Sequence, residues 1–309
     1  MFESLTPDPR LEERAAVLAL IARTEGEWYK TAALIEAAGS ALRIVRREWS
    51  GLEVLDVGRA EALAARVEQS HVDHYVLLIR ELEREGARLI TILDDEYPLN
   101  LRLIYNAPPF LFVRGALLSQ DDRSVAVVGT RTPSDEGLDQ ARRLAGDLAR
   151  ENVTVLSGLA RGIDSAAHRA ALDADGRTVA VMGTGIQSVY PPENADLAKA
   201  IRERGALVSQ FWPDAPPTRF TFPMRNVVMS GMAVGTVVIE AGPTSGAKMQ
   251  ARYALDHEKR LFLVESLVLH EEWARRYARN PLTTVVRSVE DILRVLVDLA
   301  RPVKQLTLG

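Results

Sequence analysis

The sequence predicts an α/β fold in which a doubly wound, mostly parallel sheet follows a small all-helical segment. Two patterns in the chain lead to this prediction. Residues 11–90 repeat apolar side chains at helical spacing and show no strand alternation. From Ser124 onward, short and nearly continuous apolar runs alternate with amphipathic segments, which is typical of βαβ units and of a sheet covered by helices on both faces.

The individual elements follow from the same patterns. The predicted strands are Arg88–Leu93, Phe110–Val113, Val125–Val128, Val153–Leu156, Thr178–Met182, Ala206–Val208, Thr236–Ile239, Arg260–Val264 and Thr283–Val286. The predicted helices of the α/β part are Leu138–Arg150, Ser165–Ala174, Ala195–Arg204, Ala247–His257, Glu271–Arg279 and Val289–Ala300. We therefore predict a helical domain at 1–87 and an α/β domain at 88–300 that begins with a short β connector at 88–123. A tail at 301–309 follows, with no winged-helix domain.

The composition limits the available chemistry. The 309 residues include no cysteine, which excludes disulfides, cysteine zinc sites and thiol catalysis. The five histidines and the acidic residues show no metal-ligand spacing, so we predict no metal and no cofactor. No apolar run approaches the ~18 residues of a membrane span, and Met1–Arg14 lacks the apolar core of a signal peptide. We therefore predict a cytoplasmic protein with no membrane partner.

The formal net charge of −4 does not by itself favour a nucleic-acid partner. The charge is unevenly distributed, because residues 1–90 carry 12 basic and 16 acidic side chains and the remainder carries 26 of each. The acidic excess therefore belongs to the helical segment, and the sequence is compatible with a local basic groove in the α/β part.

Five strand-end segments carry the candidate chemistry, because sheets of this kind bind ligands at the carboxyl ends of parallel strands. In the first, Gly129-Thr130-Arg131, the glycine lets the backbone approach a phosphate and the arginine adds a forked donor. The second, residues 156–168, lies between a strand and a helix and supplies Ser157, Gly158, Arg161, Gly162 and His168. The first segment also suits an ordinary strand-to-helix turn with a surface arginine. The second also suits a turn in which Asp164 caps the helix and His168 orients it.

The other three segments are less specific. Gly183 and Gly185 open a strand end ahead of a rigid Tyr-Pro-Pro-Glu-Asn turn at 190–194, which suits either a loop over a site or a purely structural turn. Phe220–Asn226 brings aromatic rings next to arginine and asparagine, as base stacking requires, although Phe222 also suits a core position. The fifth segment offers Glu240, Ser245, Gly246 and Lys248 around a helix start, where Lys248 suits an anion partner or a solvated surface.

The same segments do not form a hydrolase site. Ser157 lacks the G-x-S-x-G turn of an activated serine, and Ser157, Asp164 and His168 crowd a single strand-to-helix connection. The glycines do not follow the G-x-G-x-x-G spacing of a dinucleotide site either.

Taken in order, these segments resemble the DNA-processing protein A (DprA/Smf) family. The matching stretches are Tyr97-Pro98, Pro108-Pro109 leading to Gly115, VVGTR (127–131), SGLARGIDSAAH (157–168), TVAVMGTGIQSVYPPEN (178–194), FPMRN (222–226) and VVIEAGPTSGA (237–247). They cover about residues 90–265, and the SGLA-x-GID-x-x-AH and FP-x-RN patterns are jointly rare by chance within one α/β domain. The resemblance implies a Rossmann-like domain preceded by a small helical, SAM-like domain.

The resemblance also implies a function. Members of such a family would bind single-stranded DNA without sequence preference, protect incoming strands and deliver them to the recombinase RecA during transformation or recombination. They would form homodimers through the Rossmann-like domain and catalyse no reaction. On this basis Arg131 and Arg225 are expected to contact phosphates, and Phe222 or Asn226 a base. The full predicted DNA-binding set is Gly129, Thr130, Arg131, Ser157, Gly158, Arg161, Gly162, His168, Gly183, Gly185, Phe222, Arg225, Asn226, Glu240, Ser245, Gly246 and Lys248.

Several positions depart from the family pattern. Val227 stands where a second basic residue is usual after FP-x-RN, and Ser209-Gln210 replaces the expected Ser-Glu. The stretches at 245–251 (SGAKMQA) and 264–266 (Val-Glu-Ser) also differ. These changes favour, as the alternative, a sensor of a small nucleotide on the same type of fold. A phosphoribohydrolase, with Glu240 as ribose ligand or general acid/base, is a further alternative, although its PGG-x-GT loop is missing.

Overall fold

The computed structural model describes residues 8–300. The strands are β1 (Ala87–Thr91), β2 (Phe110–Gly115), β3 (Ser124–Val128), β4 (Thr154–Ser157), β5 (Thr178–Val181), β6 (Ala206–Ser209), β7 (Gly235–Val238), β8 (Arg260–Val264) and β9 (Thr283–Val286). The helices are α1 (Pro9–Ala22), α2 (Trp28–Ala38), α3 (Ala41–Val45), α4 (Val54–Ala64), α5 (Gln69–Arg84), α6 (Leu99–Arg102), α7 (Asp135–Arg150), α8 (Ile163–Asp173), α9 (Ala195–Arg204), α10 (Thr221–Met232), α11 (Gly246–Asp256), α12 (Glu265–His270), α13 (Glu272–Tyr277) and α14 (Val289–Ala300).

All nine strands join one sheet in the order β1-β2-β6-β5-β4-β3-β7-β8-β9. Strands β3 to β9 pair in parallel, whereas β2 joins β6 and β1 joins β2 in the antiparallel direction. From β3 the chain first builds outward through β4, β5 and β6, and it then returns to the other side of β3 with β7. The strand order therefore reverses between β3 and β7, which is where doubly wound sheets bind their ligands.

Local sequence signals place the helices that surround this reversal point. Ser134 caps α7 by accepting a hydrogen bond from the Gly137 backbone N–H at 3.0 Å, and Ser245 caps α11 by accepting one from Ala247 at 3.1 Å. Gly162 precedes α8 with a φ of 74°, and a Cβ there would meet the Thr130 carbonyl oxygen at 2.5 Å. The position therefore requires glycine, both for its backbone conformation and for the close approach of two loops.

The N-terminal helices pack against the sheet through aromatic side chains. Trp28 of α2 lies 5.6 Å from Phe110 and 6.0 Å from Trp212, measured between ring centroids. Tyr75 of α5 stacks on Trp212 at 5.6 Å. Buried apolar residues of the helical part and of the sheet form one continuous core. Burial of this aromatic surface holds the helical segment in place beside β2.

The structure confirms the predicted fold class and changes some of its details. Several bounds agree with the predictions, including Ala195–Arg204, Arg260–Val264 and Thr283–Val286. We predicted the Phe220–Asn226 segment as a strand-end loop, but most of it forms the first turns of α10. The segment after β8, to which we assigned no element, forms α12. The predicted boundary at 87–88 falls where β1 begins, and the predicted tail at 301–309 lies outside the described residues. No helix within residues 8–300 combines the length and the apolar character needed to cross a membrane.

Candidate functional site

A groove of about 520 Å³ opens at the reversal point of the sheet, between the carboxyl end of β3, α10 and the first turn of α11. We refer to it as the groove. Its lining includes eight residues that the sequence predicted, namely Gly129, Thr130, Arg131, Phe222, Arg225, Asn226, Ser245 and Gly246. Ala160 and Asp164 of the second segment line it as well, so four of the five predicted segments meet in one place, although they are separated by up to 117 positions in the chain. This convergence follows from the strand order.

Arg225 lies at the floor of the groove and is only 6% exposed. Its Nη1 donates hydrogen bonds to the carbonyl oxygens of Gly158 and, at 2.8 Å, Val181, while its Nε donates to the Asn226 amide oxygen at 3.0 Å. These bonds tie the ends of β4 and β5 to α10. Gly158 must lack a side chain, because a Cβ there would overlap the guanidinium group. Most of the Arg225 donors therefore hold protein oxygens, and a phosphate contact by this residue stays a prediction.

A buried carboxylate lies close to this guanidinium. Asp164 of α8 is 5% exposed and accepts a hydrogen bond from the Gly158 backbone N–H at 3.1 Å. Burial raises the pKa of Asp164, and the charge of Arg225 partly opposes that rise. Burial likewise lowers the pKa of Arg225, and Asp164 opposes that fall. The two groups stabilise each other's charged forms, so they hold the 158–164 loop against α10 as a unit.

The exposed wall of the groove carries a short stack of cation and rings. The Arg131 guanidinium carbon lies 5.2 Å from the centre of the Phe222 ring, and the Phe222 ring lies 6.0 Å from that of Tyr190. Gly183 backs this stack, because a Cβ there would lie 2.7 Å from the Phe222 ring. Arg131 is exposed. The arrangement presents a mobile positive charge and aromatic faces to the same space, which suits a phosphate and a planar base.

A small hollow of about 40 Å³ extends the groove past this stack. It shares Arg131 and Phe222 with the groove and adds Gly158 and Arg161. Arg161 forms an exposed ion pair with Glu193, whose pKa the guanidinium lowers. Arg161 is therefore near the groove, as predicted, but it is already paired with an acid.

The N-terminus of α11 forms the opposite wall. Asn226 fixes it by donating a hydrogen bond from Nδ2 to the Gly246 carbonyl oxygen at 3.3 Å. An eleven-residue helix directs the partial positive charge of its first turn into the groove beside Ser245 and Gly246. Lys248 does not line the groove, and its Nζ donates to the Pro243 carbonyl oxygen at 2.9 Å.

Other predicted residues lie away from the groove lining. Ser157 is fully buried and donates to the Val127 carbonyl oxygen at 2.7 Å, so it joins β4 to β3. His168 is also fully buried, with Nδ1 2.6 Å from the Thr178 hydroxyl, and burial lowers its pKa to about 3. Its role here is to hold α8 on the sheet, which corrects its inclusion among the DNA contacts.

Three further predicted residues make contacts inside the protein, namely Glu240, Gly162 and Gly185. The Glu240 carboxylate accepts hydrogen bonds from the Ser134 hydroxyl at 2.8 Å and from the Ser134 backbone N–H at 3.1 Å, so it braces the start of α7. Gly162 lets the loop before α8 pass the Thr130 carbonyl, and Gly185 passes the Pro213 backbone closely. These residues shape the loops around the groove and do not line it.

Eight residues of the lining are outside the predicted set, and they include Met229 and Gln250. Met229 follows Phe222, Arg225 and Asn226 on one face of α10, and Gln250 follows Gly246 by one turn of α11. The spacing of Met229 had meaning only once residues 221–232 were known to be a helix, whereas Gln250 already lay on the predicted helix Ala247–His257. Within residues 8–300 there is no cluster of three or more histidine or acidic side chains placed to hold a metal ion.

The fold and the groove define a Rossmann-like protein with a groove of arginine, aromatic and small residues at the reversal point of its sheet. Residues 88–296 match the family described as DNA recombination-mediator protein A. The chain belongs to this family, as its resemblance to DprA/Smf proteins had indicated.

Individual relatives agree with this assignment. The DNA processing protein DprA of Bacillus subtilis is 31% identical over 280 residues, which cover 87% of this chain and 89% of that protein. Protein Smf of Escherichia coli is 41% identical over 182 residues, which cover 59% of this chain and only 49% of that protein, so the match spans about half of the longer relative.

Solved structures show the same fold. The crystal structure of DprA from Streptococcus pneumoniae has a TM-score of 0.66 at 28% identity and covers 88% of this chain and 98% of that one. The structure of DNA processing protein A from Helicobacter pylori has a TM-score of 0.60 at 21% identity and covers 69% and 96%, respectively.

Proposed function

We propose that the groove binds single-stranded DNA and that the protein acts on such strands in DNA processing. The main support is the stack of Arg131, Phe222 and Tyr190 beside the N-terminus of α11, in a chain of the recombination-mediator family. Rings that stack on any base, combined with a positive charge, suit binding without sequence preference. The Helicobacter pylori relative, which shares the fold, is described as having a unique single-stranded DNA binding mode.

In the proposed complex, Arg131 and the first turn of α11 contact phosphates, while Phe222 and Tyr190 stack against bases. Arg225 supports this surface by holding the loops in place, and it adds positive potential from below. Arg161 joins the phosphate contacts after it leaves Glu193. The glycine loops at 129 and 245–246 let the DNA backbone approach closely.

We propose binding without catalysis. Glu240, the best general base that the sequence offered, lies outside the groove lining and is committed to Ser134. Asp164 lines the groove, but its carboxylate accepts a backbone hydrogen bond and lies beside Arg225. Neither carboxylate is placed as a free proton acceptor facing the open groove.

The family relationship extends the proposal to partners. We propose that the protein forms a homodimer through its α/β part, protects incoming strands and helps to load RecA on them during transformation or recombination. Sedimentation of the purified protein with and without oligonucleotide tests the dimer. RecA-dependent ATP hydrolysis on single-stranded DNA, with wild type or a non-binding variant added, tests loading.

The decisive measurement is a titration of fluorescently labelled oligo(dT) at several salt concentrations. Wild type is expected to bind at low salt and to weaken as salt is added. Arg131→Ala should weaken binding by roughly tenfold and reduce the salt dependence by about one phosphate contact. Arg59→Ala is the matched control, because Arg59 is an exposed arginine on α4, far from the groove in the fold.

The alternative of a nucleotide sensor is separated by the same experiment. If oligo(dT) fails to bind at low salt while a mononucleotide raises the melting temperature, the DNA proposal is wrong. If Arg131→Ala binds as wild type does, the groove is not the DNA site.

A further inference from the structure

A second cavity lies on the far side of α10 from the groove. It encloses about 480 Å³ between the start of α2, the segment before β2, α10 and α11, and we call it the junction pocket. Met224 and Val227 line it, whereas Phe222, Arg225 and Asn226 of the same helix line the groove. With about 100° of rotation per residue, Met224 lies roughly 200° around the helix from Phe222. One helix therefore separates two cavities.

The walls of the junction pocket are aromatic. They include Trp28 and Tyr29 from α2, Tyr105 from the segment before β2, and Tyr253 from α11. Trp28 is held rigidly, because it packs on Phe110 and Trp212. Aromatic faces contributed by separate elements make a slot that suits a flat ring.

Gln210 gives the junction pocket a polar side chain whose Nε2 has no partner among the described residues. It lines the pocket and is 6% exposed, and its Nε2 has no hydrogen-bond partner among residues 8–300. A side-chain amide both donates and accepts hydrogen bonds, and buried polar groups in proteins are nearly always paired. The Gln210 amide is therefore a buried polar group at the wall of the pocket that the protein itself leaves unpaired at Nε2.

A buried network holds the wall opposite α2 in position. His257 contacts Ser230 at 3.0 Å through Nδ1 and Asn106 at 2.9 Å through Nε2. Its ring stacks on Tyr253 at 6.1 Å and meets Tyr105 edge-on at 5.7 Å. Asn106, Tyr105 and Tyr253 all line the pocket, so the slot is organised before a ligand arrives.

We propose that the junction pocket receives one nucleobase, with Gln210 bonded to its edge and aromatic rings against its faces. The proposal rests on the proposed function, because the base would belong to a strand whose neighbouring nucleotides occupy the groove. A helix with its side chains is about 10 to 12 Å wide, so a strand passing over the first turn of α10 reaches both cavities. Arg252, which lies over the Tyr253 ring at 5.4 Å, provides a cation beside the pocket for the connecting phosphates.

The test is a scan of oligo(dT) in which each base in turn is removed while its sugar and phosphate stay. In wild type, we expect two separate regions of sensitivity, with a loss of about tenfold in affinity where the base enters the junction pocket. Gln210→Met keeps the length of the side chain and removes its amide. This variant should weaken binding of the intact strand and shrink the penalty at the junction position, while the penalties at groove positions stay as in wild type.

Tyr253→Leu should act at the same position as Gln210→Met. Gln69→Met, which removes an exposed amide at the start of α5, is the matched control and should bind as wild type does. Melting temperatures of all variants, measured without DNA, identify any effect on folding. If Gln210→Met and Tyr253→Leu bind every oligonucleotide like wild type while Arg131→Ala loses binding, the junction pocket is not used and the groove function stands.

Free nucleotides test whether the junction pocket binds a free nucleotide instead of a base within a DNA strand. If no oligonucleotide binds at low salt, the proposed function fails, and thermal shifts with AMP and dTMP then decide the pocket. A shift in wild type that is absent in Gln210→Met supports a free-nucleotide site. Equal shifts in both proteins, or none in either, overturn the junction pocket as a base site.

Discussion

Arg225→Met is expected to destabilise the whole groove before any effect on a ligand is considered. The substitution keeps a long side chain but removes the guanidinium group that bonds the carbonyl oxygens of Gly158 and Val181. Both carbonyl oxygens would then lose this charged donor. Asp164, whose carboxylate is buried beside Arg225, would lose the charge that opposes its rise in pKa.

The size of the effect follows from these lost contacts. A hydrogen bond to a charged group contributes about 1.5–3 kcal/mol, and Arg225 donates two such bonds to backbone carbonyl oxygens while its charge favours the ionised form of Asp164. These terms overlap, so we expect a loss of about 3–5 kcal/mol in unfolding free energy. That is a large fraction of the total stability of an ordinary domain, which is about 5–15 kcal/mol. In a chain of this size it corresponds to a fall of roughly 10 °C in Tm.

Urea unfolding and oligo(dT) titration, measured on the same preparations, test this reasoning. Arg131→Ala is the comparison, because Arg131 is exposed and its loss should change the unfolding free energy by less than about 0.5 kcal/mol. Arg225→Met should therefore lose stability and binding together, whereas Arg131→Ala should lose binding alone. If Arg225→Met is as stable as wild type and only its DNA affinity falls, Arg225 is a direct ligand and our assignment of its role is wrong.

Three further predictions concern other residues of the fold. Glu193→Gln should release Arg161 and tighten oligo(dT) binding by roughly two- to threefold at low salt, and unchanged affinity would mean that Arg161 does not reach the strand. Phe222→Ala should weaken binding by about tenfold while Phe220→Ala, a nearby exposed ring outside both cavities, should change it less than about twofold in the same titration. Burial lowers the pKa of His168 to about 3, so on acidification the unfolded chain takes up this proton before the folded chain does. The free energy of unfolding should therefore fall by about 2 kcal/mol between pH 6.5 and pH 5. Urea unfolding of His168→Gln should show a smaller fall, and an equal fall would mean that another group titrates.

The sheet was predictable because its strands carry their own signal. Runs such as Arg260–Val264 and Thr283–Val286 are short, apolar or β-branched, and bounded by polar turns, so both their type and their bounds agree with the structure. The antiparallel addition of β2 to β6 was not predicted, because strand neighbours in the sheet depend on packing between distant segments. Helix α10 was missed for a local reason. Its first turn contains Phe222 and Pro223, which suggest a loop, although proline is tolerated in the first turn of a helix.

The sequence predicted which segments contribute to the site, but it did not predict which residues face the groove and which hold the loops together. Arg131 and Arg225 were both expected to contact phosphates, yet one is exposed and the other is buried against carbonyl groups at the ends of two strands. The sequence contains no local signal for this difference, because the burial of Arg225 depends on Gly158 having no side chain. The departures at Gln210 and Val227 were visible, but only the structure shows that both line the junction pocket.

These roles predict how strongly salt should act on DNA binding. Of the arginines at the groove, Arg131 is exposed, Arg161 is paired with Glu193, and Arg225 is buried. If Arg131 and Arg161 each neutralise one phosphate, at about 0.7 per phosphate, the slope of log affinity against log salt concentration is near −1.4 for a short oligonucleotide. Most of the binding energy should then come from stacking on Phe222 and Tyr190.

The measurement is a series of titrations of a short oligo(dT) between about 50 and 200 mM salt, a range over which many phosphate contacts produce steep losses. A shallow slope that Arg131→Ala lowers by about 0.7 supports binding led by stacking. A slope of about −4 or steeper would require phosphate contacts well outside the groove. In that case the DNA would contact a longer row of basic side chains despite the net charge of −4. The stack of Arg131, Phe222 and Tyr190 would then be a minor part of the interface.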